Sequence, residues 1–345
     1  MAEYISFQPR DNYKTHLYVG TGASNAQTFP ETTAMQPDLV WIKNRDTTDF
    51  GVWTDSERGA TKYFKTSTTL GNTTNVESLK SFDSDGFTVG TMNEVNTNTE
   101  NFVSWNWKMG TTTGIAGSPS ITPDSYTLNA TAGQSIIQYT GNATAAATIP
   151  HGLPATPSFV MIKNETGESW KGYHIAGGND KGAELDGIYY TGCSTCFNDT
   201  TPTSTLVTLG DSAYTNQTGV SHVAYCFTPI KGYSAFQGYT GNGNVDGAFV
   251  YTGFRPSFLL IKKIASGGDW MLFDDKRIGY NEDNDTQNPN LNEADGTTDY
   301  LDLLSNGFKI RTSDALVNSN ATDYAYIAFA EFPLVSSNDV PGVAR

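Results

Sequence analysis

The 345-residue chain has little charge, few cysteines and no long apolar segment. Charged residues make up 17% of it, below the roughly 25% that is usual in globular proteins, and the formal net charge is −15. This acidic balance repels phosphate backbones and anionic lipids, and no basic patch reverses it, so we expect neither nucleic-acid binding nor membrane insertion. No apolar run approaches the roughly 20 residues of a membrane-spanning helix. The first ten residues lack a basic start followed by an apolar stretch, so no secretory signal is predicted.

The three cysteines are too few for the disulfide framework of a small secreted domain. Cys193 and Cys196 have the spacing of a zinc knuckle, but a second such pair is missing and a structural zinc needs four ligands. We therefore expect a disulfide that staples a loop, or two small residues in a turn; the state of Cys226 stays open. Asp283 and Asp285 lie in an acidic stretch of the kind that calcium prefers, yet the stretch departs from any known calcium-loop pattern. No metal or cofactor is predicted, with calcium at these two aspartates as the weaker alternative.

The most informative feature of the sequence is a threefold repetition. The heptad Pro-Asp-Leu-Val-Trp-Ile-Lys at 37–43 returns as Pro-Ser-Phe-Val-Met-Ile-Lys at 157–163 and as Pro-Ser-Phe-Leu-Leu-Ile-Lys at 256–262. A Tyr-x-Gly turn precedes each heptad, a tryptophan follows it, and an aromatic strand closes each unit. We therefore interpret the chain as three variants of one module.

Each heptad is typical of a buried strand, because four successive apolar residues lie between a proline and a lysine. The closing strands alternate apolar and polar residues, and no segment shows helical periodicity over ten residues. We predict an all-β fold of three tandem, related antiparallel β-sandwich modules of jelly-roll or lectin-like type. The predicted repeat core contains Val40, Ile42, Val160, Ile162, Leu259, Ile261, Trp105, Tyr225 and Phe329. We take the last three of these, which lie on the closing strands, as equivalent positions.

The predicted module boundaries follow these landmarks. Residues 1–108 form the first module with an N-terminal segment, 109–133 a linker rich in glycine and proline, 134–232 the second module, and 233–345 the third module with a C-terminal tail. Because the linker is long and polar, we expect truncation at Met109 to leave a soluble first module. The second and third modules are joined by a segment too short for a free hinge, so we expect them to pack side by side.

The resemblance of this chain to a known family rests on several strings. They are Gln-Pro-Asp-Leu-Val-Trp-Ile-Lys-Asn-Arg at 36–45, Ser-Phe-Asp-Ser-Asp-Gly-Phe-Thr-Val-Gly at 81–90, Trp-Asn-Trp-Lys at 105–108 and Val-Pro-Gly-Val-Ala-Arg at 340–345. Over nearly its whole length the sequence resembles a family of repeat-containing structural proteins of tailed bacteriophages, especially marine ones, which are tail-fibre-like and have no settled activity. The resemblance implies a virion component, assembled in the host bacterial cytoplasm, with other virion proteins as partners.

We therefore expect a non-enzymatic bacteriophage structural protein. It would be a tail fibre or similar appendage that attaches to the virion and contacts a glycan or another receptor on the host surface. Phage fibres are commonly trimeric, so a homo-oligomer is expected, with a trimer as the first guess. Two alternatives stay open: a capsid-decorating or head-fibre protein and, in a different class, a glycan-binding or glycan-depolymerising protein. No Gly-x-Ser-x-Gly string accompanies any of the four histidines, so no catalytic residue is predicted.

The glycan alternative has its own candidate residues for surface contact. Aromatic side chains beside polar groups can stack on the apolar faces of sugars. We take the tryptophans that follow the heptads as equivalent positions, and we favour a packing role for them over sugar contact. With 36 acidic residues in the chain, no catalytic pair stands out. The candidates are Trp53, Trp170, Tyr173, His174 and Trp270.

Overall fold

The computed structural model of the chain describes residues 8–31, 33–264, 267–277 and 285–332. With 41% strand and 6% helix, the all-β prediction is confirmed. The strands are, in chain order, β1 Tyr13–Val19, β2 Asn25–Thr28, β3 Leu39–Asn44, β4 Val52–Asp55, β5 Lys62–Lys65, β6 Thr73–Thr74, β7 Leu79–Asp83, β8 Gly86–Val89, β9 Asn101–Trp107, β10 Ser125–Asn129, β11 Gln134–Thr140, β12 Ala147–Pro150, β13 Phe159–Asn164, β14 Lys171–His174, β15 Gly178–Ala183, β16 Tyr190–Gly192, β17 Leu206–Leu209, β18 Ser221–Phe227, β19 Ser234–Thr240, β20 Phe249–Tyr251, β21 Phe258–Lys263, β22 Met271–Asp274, β23 Leu301–Leu304, β24 Gly307–Ile310 and β25 Asp323–Phe329.

The helical elements are short. They are a 3₁₀ turn at Pro9–Asp11 and four single-turn helices, α1 Asn93–Asn96, α2 Ser194–Phe197, α3 Ala213–Asn216 and α4 Ala315–Asn318. None of the helices in the described ranges has the length or apolar character needed to cross a membrane.

The described strands form three large and three small antiparallel sheets. The first large sheet has the order β1-β9-β3-β4-β5-β6, the second β10-β11-β18-β13-β14-β15-β16, and the third β19-β25-β21-β22. The small sheets are, in chain order, β2-β8-β7, β12-β17 and β20-β24-β23. Each heptad supplies an interior strand of one large sheet, β3, β13 or β21, which pairs with the closing aromatic strand β9, β18 or β25.

The apolar run of each heptad is explained by burial of both faces of its strand. In β3, Leu39 and Trp41 face a core that all three large sheets share, whereas Val40 and Ile42 face the first small sheet. Strands β13 and β21 divide their residues in the same way. A strand covered on both sides shows no apolar-polar alternation. All nine positions predicted as the repeat core are buried.

The core shared by the three large sheets is rich in aromatic rings. Contacts between rings join every pair of large sheets, first with second, first with third and second with third. A small apolar cavity remains between the sheets. Removing any one large sheet would therefore expose aromatic surface on the other two. The distances between ring centroids are 5.1 Å for Trp53 and Tyr225, 5.4 Å for Trp107 and Phe258, and 5.6 Å for Phe227 and Phe329.

The segment 109–133, expected to be a linker, is part of the sheet structure. Met109 and Ile121 are buried, and the backbone N–H of Met109 donates to the Asp38 carboxylate at 2.7 Å. Strand β10 lies in this segment and pairs with β11 at the edge of the second large sheet. Because its apolar residues pack against the sheets and β10 pairs with β11, the segment is not a free hinge despite its glycine and proline content.

The strand register corrects one equivalence drawn from the sequence. Trp105 and Tyr225 lie opposite the fifth residue of their heptads, whereas Phe329 lies opposite Phe258, the third residue. The residue of β25 that corresponds to Trp105 and Tyr225 is Ile327. The third closing strand therefore places an aliphatic side chain where the other two place a hydrogen-bond donor.

The tryptophans that follow the heptads are not all equivalent either. Trp170 and Trp270 directly precede β14 and β22, and the residue at the same register position of the first large sheet is Gly51. Trp53 lies two residues later. A Cβ at Gly51 would lie only 2.9 Å from Nε1 of Trp41, so a tryptophan there would collide with the heptad's own indole.

Three buried asparagines, none of them among the predicted positions, explain the Tyr-x-Gly turns. They end α1, α3 and α4, and each side-chain oxygen accepts a backbone N–H from the turn. The tyrosine hydroxyl of each turn donates to the carbonyl of the residue before the asparagine. A Cβ at the turn glycine would lie within 2.4 Å of a backbone oxygen, so glycine is required there. The three asparagines are Asn96, Asn216 and Asn318.

Because of the shared core, we no longer expect a fragment that ends at residue 108 to be a soluble, folded module. Such a fragment would expose Trp41, Trp53, Trp105 and Trp107, which the other large sheets cover in the full chain. We predict that it is insoluble or lacks a cooperative thermal transition, whereas the full chain unfolds in one transition. A soluble 1–108 fragment with its own sharp calorimetric transition would contradict this prediction.

Candidate functional site

A buried ion pair lies where the first and second large sheets meet. Asp55 ends β4, and its Oδ2 atom accepts hydrogen bonds from Arg58 Nε and from the Tyr225 hydroxyl, both at 2.6 Å. The other carboxylate oxygen accepts the backbone N–H of Arg58 at 2.9 Å. Both charged side chains are fully buried. Burial opposes the charge of Arg58, but Asp55, Tyr225 and Glu165 together outweigh that effect and raise the pKa of the guanidinium.

The same arrangement recurs between the third and first large sheets. Asp274 ends β22 and accepts hydrogen bonds from Arg277 Nε at 2.7 Å and from the Trp105 indole N–H at 3.1 Å. Its other oxygen accepts the backbone N–H of Arg277 at 3.0 Å. Trp105 donates to Asp274 as Tyr225 donates to Asp55, and the two donors lie at the same register position of their closing strands.

Between the second and third large sheets a histidine takes the place of the aspartate. His174 ends β14; its Nδ1 accepts the backbone N–H of Ala176 at 3.1 Å, and its Nε2–H donates to the carbonyl of Tyr326 at 3.0 Å. Ile327, which follows Tyr326 and corresponds to Tyr225 and Trp105, has no donor in its side chain. An aspartate at position 174 would therefore face only the carbonyl oxygen of Tyr326. Burial lowers the pKa of His174 to about 4, which keeps the ring neutral at pH 7.

These three contacts run in one direction around the shared core, from the first large sheet to the second, the second to the third, and the third to the first. We call them the polar ring: Asp55 with Tyr225, His174 with the Tyr326 carbonyl, and Asp274 with Trp105. Their acidic and basic groups are buried, and the contacts fix the sheets relative to one another. A buried charge that lost its partner would be strongly destabilising.

The lysine at the last position of each heptad makes a second set of contacts between the large sheets. These contacts run around the shared core in the direction opposite to the polar ring. Each ammonium donates to a backbone carbonyl of its own sheet's loop and to one from a neighbouring large sheet. Three N–H donors suit a cage of carbonyl oxygens. Burial lowers the pKa of each lysine to about 8. The contacts with the neighbouring sheet are Lys43 to Glu293 at 2.6 Å, Lys163 to Thr69 at 3.1 Å and Lys262 to Ile188 at 2.9 Å.

The five residues considered for surface or glycan contact are buried, with at most 6% of any of them exposed: Trp53, Trp170, Tyr173, His174 and Trp270. Two of the indoles bridge large sheets, since Trp170 donates to the Lys65 carbonyl at 3.3 Å and Trp270 to the Glu184 carbonyl at 2.6 Å. Tyr173 packs between the second large sheet and its small sheet. In this structure all five side chains pack inside the protein, and none presents an exposed ring face.

The structure shows the surroundings of most of the residues that were considered as zinc or calcium ligands. Cys193 and Cys196 form a disulfide, which leaves no thiolate for zinc, and Cys226 is a buried thiol whose pKa burial raises to about 12. Asp283 lies outside the described residues, and Asp285 accepts a hydrogen bond from Arg45 at 3.1 Å. Within the described ranges, no three His, Cys, Asp or Glu side chains are grouped to hold a metal ion.

The comparison with protein families covers almost the whole fold. Residues 8–333 match a family described as a domain of unknown function, DUF7483. The chain belongs to this family. No curated protein and no solved structure matches it. Because the DUF7483 match runs from before β1 to beyond β25, it includes all three large sheets and their shared core in one unit.

The polar ring predicts a specific effect of losing one hydroxyl. Tyr225→Phe removes a hydrogen bond to the buried Asp55 carboxylate while keeping the ring, so the free energy of unfolding should fall by about 2 kcal/mol. Tyr189→Phe, at an exposed tyrosine, is the control and should change stability by less than about 0.5 kcal/mol. Urea unfolding followed by fluorescence measures both. Equal stability of the two variants would contradict the importance of this contact.

The neutral histidine of the polar ring predicts a dependence on acid. The pKa of His174 is about 4 in the folded chain and near 6.5 when unfolded, so between these values the unfolded state binds more protons. The free energy of unfolding therefore falls as pH drops from 6.5 towards 4. We expect His174→Gln to lose less stability than the parent between pH 7 and 5, by roughly 2 kcal/mol. Parallel pH profiles of the two proteins in urea unfolding would refute this assignment.

Proposed function

We propose that this DUF7483 chain is a structural component of a tailed-bacteriophage particle, built from three related two-layer β units that close around one core. Each unit pairs a large sheet with a small sheet through its own apolar core. Within the described residues, the units correspond to the predicted modules at 8–108, 134–232 and 233–332, and 109–133 is attached to the second unit rather than free. The observation that carries this organisation is the polar ring, because Asp55, His174 and Asp274 end equivalent strands and each contacts the neighbouring large sheet.

The closed arrangement bears on the expected oligomer. From the sequence we expect a homotrimer, by analogy with phage fibres. Contacts that run in one direction around a core give a closed, approximately threefold arrangement of the kind that separate subunits usually form. In this proposal one chain supplies all three units, so it takes the place of a trimer. Such a unit suits a position on a symmetric appendage, where neighbouring virion proteins would be its partners.

The location on the particle is proposed from the family resemblance, and the closed core supports a structural role. Residues with unusual chemistry, such as the Asp55–Arg58 and Asp274–Arg277 pairs, are sealed inside the protein and hold sheets together. We therefore propose a tail fibre or similar appendage without enzymatic activity. A capsid-decorating or head-fibre protein with the same fold is the alternative, and copy number separates the two.

Quantitative mass spectrometry of purified particles of the phage that encodes this chain tests the location. An appendage is expected at tens of copies per particle at most, and a decorating protein at on the order of hundreds. Absence from the particle would overturn the virion proposal. Sedimentation equilibrium of the purified chain tests the second part: the mass of one chain is expected, and a stable homotrimer would contradict the view that one chain replaces a trimer.

A further inference from the structure

Exposed aromatic side chains are rare in the described part of the chain, and two of them share one strand. Among the described Phe, Tyr and Trp residues, four are exposed: Tyr189, Phe249, Tyr251 and Phe332. Phe249 and Tyr251 are the ends of β20, with 47% and 60% of their surface exposed, while Val250 between them is buried. Alternate residues of a strand face the same side, so both rings project from the outer face of the third small sheet, about 7 Å apart along the strand.

The fold does not require aromatic residues at these two positions. Strands β2 and β12 occupy the same place in the first and second small sheets, opposite β8 and β17 as β20 lies opposite β24. Those sheets pack against their large sheets without any ring on the outer face. The two exposed rings of β20 are therefore additional to what packing needs. The residues at the corresponding positions are Ala26 and Thr28 in β2 and Thr148 and Pro150 in β12.

The surroundings of Tyr251 leave its ring accessible. Its cross-strand partner is Gly307, which has no side chain to cover the ring. Gly253, two residues along the chain, also has no side chain; a Cβ there would lie 3.5–3.7 Å from the ring and hydroxyl atoms of Tyr251. Both neighbouring positions are thus glycines, and 60% of the surface of Tyr251 stays exposed.

Polar groups with fixed partners lie beside the rings. Lys309 is the cross-strand partner of Phe249, and its ammonium pairs with Asp246 at 2.7 Å. On the next strand Asp302 lies opposite Lys309 and binds the Arg311 guanidinium. The charges of this face are therefore paired locally, and Lys309 and Asp302 lie in register with Phe249 across the sheet.

We propose that this surface, which we call the aromatic face (Phe249, Tyr251, Lys309 and Asp302), binds a neutral polysaccharide built of hexose units. Aromatic rings stack on the apolar faces of sugar rings, and paired charged groups hydrogen-bond the hydroxyls around them. Two rings in a row along a strand suit successive sugars of a polymer. The net charge of −15 disfavours an acidic polysaccharide.

A peptide strand is a poorer match for the same place. β20 is an edge strand, but it is only three residues long, which offers few backbone groups to an added strand. The carbonyl of Tyr251 already accepts a hydrogen bond from the Tyr326 hydroxyl at 3.4 Å. Part of the edge is thus occupied from within the chain, so the side-chain face is the larger binding feature.

Affinity electrophoresis of the purified full chain tests the inference, with a soluble glucan, a mannan and a galactan as probes in separate gels. At least one of them is expected to retard the protein. The double variant Phe249→Ala with Tyr251→Ala should bind that polymer at least about tenfold more weakly, because two stacking contacts are lost. Tyr251→Phe keeps the ring and should stay within about threefold of the parent. Tyr189→Ala, which removes an equally exposed ring elsewhere, should bind as the parent does.

Three results would overturn the aromatic face as a sugar site. They are no retardation by any of the three polymers, undiminished binding by the double variant, or a change in sedimentation of the double variant that shows the face to be a contact with a second copy. Matching melting temperatures show that the variants are folded. The assay uses the isolated chain, so its failure would leave the copy number in virions, and with it the proposed function, untouched.

Discussion

A carboxylate removed from water needs hydrogen-bond donors, and in this protein the donors of the central carboxylates come from different sheets. Asp55 and Asp274 each bind an arginine three residues along the chain, which neutralises the charge locally. Each also accepts from an aromatic side chain of another large sheet. Because such a bond is directional and its loss leaves a buried charge under-satisfied, it fixes where the neighbouring closing strand lies. The position of the large sheets, and so of everything attached to them, follows from this constraint.

The lysine cages work with the polar ring because they run the opposite way around the core. Each large sheet is thereby held to both of its neighbours by polar contacts, in addition to the aromatic packing between them. The small sheets lie outside this arrangement and only cover the outer faces of the large sheets. Their exposed surfaces can therefore differ without disturbing the core. The aromatic face on the third small sheet is such a difference.

The local pattern of the sequence predicts the strands well, because burial on both faces leaves a recognisable apolar run in each heptad. The same pattern does not indicate what covers the second face of each strand. The structure shows that this face packs in the core that the three large sheets share. The same gap explains the errors at Phe329 and Trp53, since aromatic residues recur on closing strands and after the heptads, and only pairing distances fix their register. The buried asparagines did leave a signal: Asn96, Asn216 and Asn318 each lie nine residues before the position opposite the fifth heptad residue. The role of His174 depends on Ile327, a residue distant in sequence, so no local pattern could indicate it.

Native-state hydrogen exchange of the full chain measures most directly whether the three large sheets form one cooperative unit. If they do, the slowest amides of β9, β18 and β25 exchange with the same free energy of opening, and the Tyr225→Phe variant lowers that value equally in all three strands. Three different opening free energies, or a loss confined to β9 and β18 while β25 keeps its protection, would contradict the account.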